Sequence, residues 1–324
     1  MFLRKLAVAA VAGLFFSFST VAAAEEFPNK PIKIIAPSSP GGVLDLTSRL
    51  VADKLSKNLD GHAVVVENMP GGGGIIGIRG MLRAEPDGHT LVMGSLGPNA
   101  ANYALYDDLP YEASDFAPVM NVIAMPSVLI VSPDLPVTNL EEFKEYALEN
   151  NEDISMAIAT LGASSHLIGQ MMQNEMGFDA INVVYKGASP AVTDLVGGQV
   201  DFMIDNMITA LPMINSGRVR AIAAFGEERS PLLPDLPTVS EQGYPELTGG
   251  TWIGLLTSAE VPAETVAQLN KLFNEVLADE EVRASLQKQG GEPLGGSPQE
   301  FKDFIDRETE RWANVIKAAN ITIE

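Results

Sequence analysis

Ser164, Ser165 and His166 stand side by side, and Asp205 ends a strand-like run further downstream. A hydrolase uses these residue types: serine attacks, histidine takes the proton, and an acid orients the imidazole. An exported Ser/His hydrolase is therefore one reading. The spacing argues against it, because adjacent residues at a helix start rarely align for proton transfer. There is no Gly-x-Ser-x-Gly elbow, and Ser285-Leu286-Gln287-Lys288 matches Ser-x-x-Lys without its companion motifs. The same stretch permits a second chemistry. Thr160-Leu161-Gly162-Ala163 follows a strand-like run at 155–159 and leads into a helical pattern. Hydroxyls and free N–H groups then gather at a helix start, which holds an anion without any basic side chain.

An equivalent corner opens the first helix. Ser38-Ser39-Pro40-Gly41-Gly42 lies between an apolar run at 32–36 and a helical pattern from Asp45 to about residue 59. Glycine lets the backbone come close to a ligand, and Asp45 is expected to cap the helix, as is Ser164 in the other corner. Gly72, Gly74 and Gly77 satisfy Gly-x-Gly-x-x-Gly, the dinucleotide pattern. Four glycines in a row match it easily, and several residues separate it from its strand, so a flexible cleft-edge loop is the expectation. His62, His89 and His166 lack metal-ligand spacing, and the chain has no cysteine. Neither a metal nor a cofactor is expected.

The elements that would position these corners alternate. Strand-like runs at 32–36, 63–67, 90–93, 128–131, 155–159, 183–185, 200–204, 220–224 and 252–256 are separated by helical patterns, and helices close the chain from 263 onward. This rhythm predicts α/β sheets with helices on both faces. Two segments interrupt it, 110–126 and 227–250. Both are expected near crossings between two lobes, one made of residues 25–126 plus 226–324 and the other of 127–225.

Residues 1–24 read as an export signal. A basic start at Arg4-Lys5 precedes an uncharged apolar run to Val21 and the small residues Ala22-Ala23-Ala24. Cleavage near Ala24 would leave a protein working outside the cytoplasm. Its composition, 46% apolar and 19% charged, is that of a globular chain. The formal charge of -21 argues against nucleic acid and anionic membranes as partners. It leaves an anionic small molecule open, because local backbone groups decide a pocket.

Several motifs together resemble a known family. They are Pro31-Ile32-Lys33-Ile34-Ile35-Ala36-Pro37 with Pro40-Gly41-Gly42-Val43-Leu44-Asp45, Val64-Val65-Val66-Glu67-Asn68, Pro86-Asp87-Gly88-His89-Thr90-Leu91, Ser165-His166-Leu167 and Tyr185-Lys186-Gly187-Ala188-Ser189-Pro190-Ala191. Asp194-Leu195-Val196-Gly197-Gly198-Gln199-Val200-Asp201 and Arg229-Ser230-Pro231-Leu232-Leu233-Pro234-Asp235-Leu236-Pro237-Thr238-Val239 follow in the same order. The whole mature chain resembles the solute receptors of tripartite tricarboxylate transporters, the Bug proteins. That resemblance implies a periplasmic, monomeric, type II-like binding protein with mixed sheets flanked by helices. A hinge would close its two lobes on a carboxylate in the cleft between them, for delivery to a membrane permease. A ligand-sensing partner of a membrane signalling protein is the other non-enzymatic reading. The carried-over ligand site is Ser38, Ser39, Pro40, Gly41, Gly42 and Asp45, facing Thr160, Gly162, Ala163, Ser164, Ser165 and His166, with Ser95 and Asp205 as further candidates. Many members have Phe-Pro at Ser38-Ser39 and Gly-Thr at Val43-Leu44. The changed loop favours a more polar acid than the aromatic carboxylates some relatives take.

Overall fold

The computed structural model describes residues 27–322 except 60, 61, 152, 289 and 319. The expected export signal lies outside the described residues. The first part of the chain builds β1 (Ile32–Ala36), α1 (Val43–Asn58), β2 (Val64–Asn68), α2 (Ile75–Leu82) and β3 (Thr90–Ser95). A turn of π-type helix at Gly97–Ala101 and the short α3 (Asn102–Leu105) lead into β4 (Phe116–Val131). Next come α4 (Leu140–Glu149), β5 (Ser155–Ile158), α5 (Ser164–Met176), β6 (Ile181–Val184), α6 (Ala188–Val196), β7 (Phe202–Asn206), α7 (Met207–Asn215) and β8 (Arg220–Ala224). The chain finishes with β9 (Gly250–Ser258), α8 (Ala263–Ala278), α9 (Glu280–Lys288), β10 (Glu292–Gly295) and α10 (Pro298–Ala318).

Local chemistry explains the elements. In α1, Leu44, Ser48, Val51, Ala52 and Leu55 recur at helical spacing and are buried. Leu44, Val51, Ala52 and Leu55 pack with Ile32 and Ile34 of β1 and with Leu269 and Phe273 of α8. A second core puts α2, α5 and α10 on the opposite side, where Ile78, Leu167, Phe301 and Trp312 are buried. A third joins α6 and α7 to Val128 and Ile130.

The 16-residue β4 organises the whole. Its residues 116–126 pair with β9, and β10 joins its other edge. From Ser127 to Val131 its partners change to β7 and β8. The segment at 110–126 is thus mostly strand. Proline hides it from a sequence reading, since proline cannot donate to a ladder. Pro118 sits at a register shift, and Pro126 lies opposite Gly250 where partners change. The segment at 227–250 is turns, a bridge from Thr238 to Ala224 and one short helical turn at Pro245–Leu247, and it enters β9 at Gly250. Main-chain bonds knit the passage together: Phe225 N donates to Ser127 O (2.8 Å), Ser127 N to Gly249 O (3.4 Å) and Gly249 N to Phe225 O (2.7 Å).

Strand direction decides where chemistry can happen. β1, β2 and β3 are parallel, and all run in the same sense as β4. β5, β6 and β7 are parallel to one another and run against β4. Both sets therefore end at the point where β4 changes partners. The helices that follow β1, β2, β5, β6 and β7 all begin there, with free N–H groups.

A β-carbon on Gly250 would run into the Met125 carbonyl and the Pro126 backbone. Gly250→Ala is expected to cost about 1–3 kcal/mol, as forcing atoms into filled space does. Urea unfolding measures this, and an unchanged midpoint would mean the passage is slack.

Candidate functional site

The first corner is held open by hydrogen bonds. Gly42 N donates to Ser39 O at 3.2 Å, and Gly42 precedes the helix with extended backbone (φ -76°, ψ 165°). Gly41 is left-handed at φ +81°, where glycine is favoured. Asp45 is the third helical residue and does not cap the helix, which starts earlier than the sequence pattern suggests. Its Oδ2 accepts from Gly41 N (2.8 Å), and its Oδ1 accepts from Asn68 Nδ2 (2.9 Å) and pairs with Arg49 Nε (2.8 Å). Asn68 Nδ2 also donates to Ser38 O at 3.1 Å. Burial pushes the Asp45 carboxyl up, but hydrogen bonds from Arg49, Gly41 and Asn68 outweigh it and hold the group below the usual carboxylate range.

The second corner repeats this construction. Ala163 N donates to Thr160 O (3.3 Å), and Ala163 precedes the helix with nearly the same backbone (φ -75°, ψ 163°). Gly162 is left-handed at φ +72°. The third helical residue, His166, accepts from Gly162 N at Nδ1 (3.2 Å). The cap is thus Ala163 rather than Ser164. In both corners the cap carbonyl receives the first helical bond: Leu46 N to Gly42 O, and Leu167 N to Ala163 O. Among the described residues no side chain caps either start. Burial lowers the His166 pKa to about 4. The imidazole is then neutral with its proton on Nε2. A histidine whose Nδ1 is already committed cannot be held by an acid there, which weakens the hydrolase reading.

The corners meet across a wedge of glycine and asparagine. A β-carbon on Gly97 would stand 3.0 Å from Gly162 O, and one on Gly73 would stand 3.6 Å from Leu161 O. Gly74 packs on Pro98 and Pro37, which joins the wedge to the first corner. Gly71, Gly72, Gly73 and Gly74 all have positive φ, so conformation explains that run. Ser95 N donates to Asn99 Oδ1 at 3.2 Å, which engages its amide. Pro40, Gly41 and Thr160 are exposed; Ser38, Ser39 and Gly42 are half-buried; Ser164 and Ser165 are buried.

Asp205 lies near the end of β7. It is two positions past Met203, which pairs with Ala157 of β5, so it is level with the start of the second corner. Its Oδ1 accepts from Asn206 N (2.8 Å), and burial raises its pKa to about 6 against the opposing hydrogen bonds from Thr209 and Asn206. Its Oδ2 is buried without a partner among the described residues, as are Ser38 Oγ, Asn99 Nδ2 and Asn102 Oδ1. Asn99 and Asn102, 1% and 0% exposed, escaped the sequence reading. Asn99 ends the same segment as Ser95; Asn102 carried no motif. Among the described residues no group of three or more His, Cys, Asp or Glu could hold a metal.

Two α/β halves that turn their helix starts toward a shared seam, joined by crossing strands, form the two-lobed fold of periplasmic binding proteins. Residues 47–321 match the tripartite tricarboxylate transporter family receptor, and the chain belongs to that family. The periplasmic binding protein BugD is 34% identical, with a TM-score of 0.86 over 92% of this chain and 100% of its own. Rpa4515 of R. palustris, solved with adipate, is 30% identical, with a TM-score of 0.88 over 92% and 99% of the two chains. MatC of Rhodopseudomonas palustris, solved with malate, is 32% identical, with a TM-score of 0.84 over 90% and 100%.

His166 and Asp205 give opposite pH dependences. Unfolded histidine takes its proton near 6.5 and folded His166 near 4, so stability falls as pH drops through that window. Asp205 keeps its proton to about 6 when folded and to 3.8 when unfolded, so stability falls as pH rises between those values. His166→Asn should gain on the native chain as pH falls from about 6.5 to 4, and Asp205→Asn as pH rises from about 4 to 6. Each gain is on the order of 3 kcal/mol. Unfolding curves of ligand-free protein at several pH values decide it; parallel curves would refute the assignment.

Proposed function

We propose that the chain is exported, cleaved near Ala24, and binds a small organic carboxylate between residues 38–42 and 160–165. Delivery follows to the permease subunits of a tripartite transporter, with the receptor acting as a monomer. One observation carries this reading: two corners of matching construction converge on one wedge, beside buried polar atoms with no partner among the described residues. The amides of the first turn of each helix supply donors for a carboxylate. Each helix start adds about 0.3–2 kcal/mol toward an anion. Several such donors together with lobe closure suit micromolar binding, about -8 kcal/mol. Asp205, protonated at mildly acidic pH, supplies a further donor. The malate and adipate of the two relatives support a dicarboxylate, and the polar Ser38-Ser39 agrees with that class. The lobes in this reading are residues 25–126 plus 226–324, and 127–225. The change of partners along β4 at Ser127 supports that division. Closure traps the ligand because the shut form binds it better.

Titration calorimetry with malate, adipate, citrate, benzoate and a neutral sugar tests the reading. At least one acid is expected to bind at about micromolar Kd. Strongest binding by the sugar, or none by any acid, overturns it. Gly97→Val places branched carbon between the corners and is expected to weaken the best acid by about tenfold or more, since filled space resists added atoms. An unaltered Kd would separate Gly97 from the site.

A further inference from the structure

Asp45 raises a question that capture of an anion does not answer. A carboxylate at the mouth of an anion cradle repels the ligand by Coulomb's law. Yet it is 3% exposed, and both its oxygens are taken by Gly41, Asn68 and Arg49. In the other corner the equivalent position holds an uncharged imidazole, and Gly162 N occupies its Nδ1. The shared property of Asp45 and His166 is an acceptor atom one bond beyond Cγ, four residues after a left-handed glycine. In each corner that acceptor withdraws the glycine amide from the cradle and fixes the turn, leaving the first-turn amides to face outward. Beside this device, Asn99 Nδ2, Asn102 Oδ1 and Asp205 Oδ2 are buried without partners among the described residues, so the polar groups still unmet lie elsewhere than on Asp45.

We infer that Asp45 and His166 are matched positioning residues, each shaping its corner by accepting a glycine amide without touching the ligand. The inference rests on the carboxylate reading above. Arg49 and Asn68 are then part of the same device: Arg49 offsets the charge that the first corner uses and the second avoids, and Asn68 donates to the same carboxylate. Asparagine offers the same acceptor position without charge, whereas leucine has the size but no acceptor.

The test compares Asp45→Asn, Asp45→Leu, His166→Asn and His166→Leu with the native protein. Amide hydrogen exchange by NMR on ligand-free protein reads the corners directly. Each leucine variant should lose protection at its own glycine, Gly41 or Gly162, and neither asparagine variant should. Calorimetry with malate and adipate reads the consequence. The leucine variants should weaken the bound acid by about tenfold, the worth of one lost hydrogen bond, and the asparagine variants should stay within about threefold. Asparagine variants as weak as the leucine ones would mean the side chains contact the ligand. Leucine variants that bind and exchange like the native protein would remove the positioning role. If the native protein binds neither acid, the carboxylate reading fails, and the glycine exchange rates still decide whether Asp45 and His166 shape the corners. Asparagine variants that keep their fold guard against reading a misfolded leucine variant as support.

Discussion

A parallel strand places the start of its following helix at its own C-terminal edge, and this directional constraint decides where the molecule can bind anything. β1, β2 and β3 run with β4, while β5, β6 and β7 run against it. Because β4 passes from one set to the other, both edges come to a single seam. Reverse either set, and its helix starts would face away from the other half. The glycine corners, the asparagine wedge and Asp205 all depend on this arrangement, since each lies within a few residues of a strand end.

The acidic composition and the proposed anionic ligand are compatible for a local reason. The charges of Asp53, Lys57, Lys302 and Asp306 lie in exposed helix pairs, which do little beyond solvating the surface. At the seam the field comes from peptide groups, and the one buried carboxylate of the first corner is matched by Arg49. Net charge describes the surface of this protein, and strand direction describes its seam.

Much of this was legible in the residues. The run Ile32–Ala36, the glycines at 41–42 and the helical spacing of Leu44, Val51 and Leu55 signalled a strand, a corner and a helix, because burial selects apolar residues at fixed periods. The start of α1 was misplaced because Asp45 looks like a cap, while its carboxylate reaches back from the third position. Most of β4 was hidden by Pro118 and Pro126, and β10 by its brevity and its Pro293 and Gly295. Asn102 was invisible because its role depends on approach by Gly162, more than fifty residues away and on another element. Sequence spacing reports neighbours along one element, and a wedge between two elements leaves no periodic trace.

The matched corners also bear on how the protein behaves in brine. Mobile ions crowd around lysine and arginine heads and blunt their pull on a solute, but they have poor access to buried amides. A receptor that grips with its main chain keeps its hold as salinity rises, and its acidic exterior keeps it dissolved there. In the proposed mode of binding, the pairing of Gly41 with Asp45 and of Gly162 with His166 frees the grip from the ionic medium in which the surface is bathed.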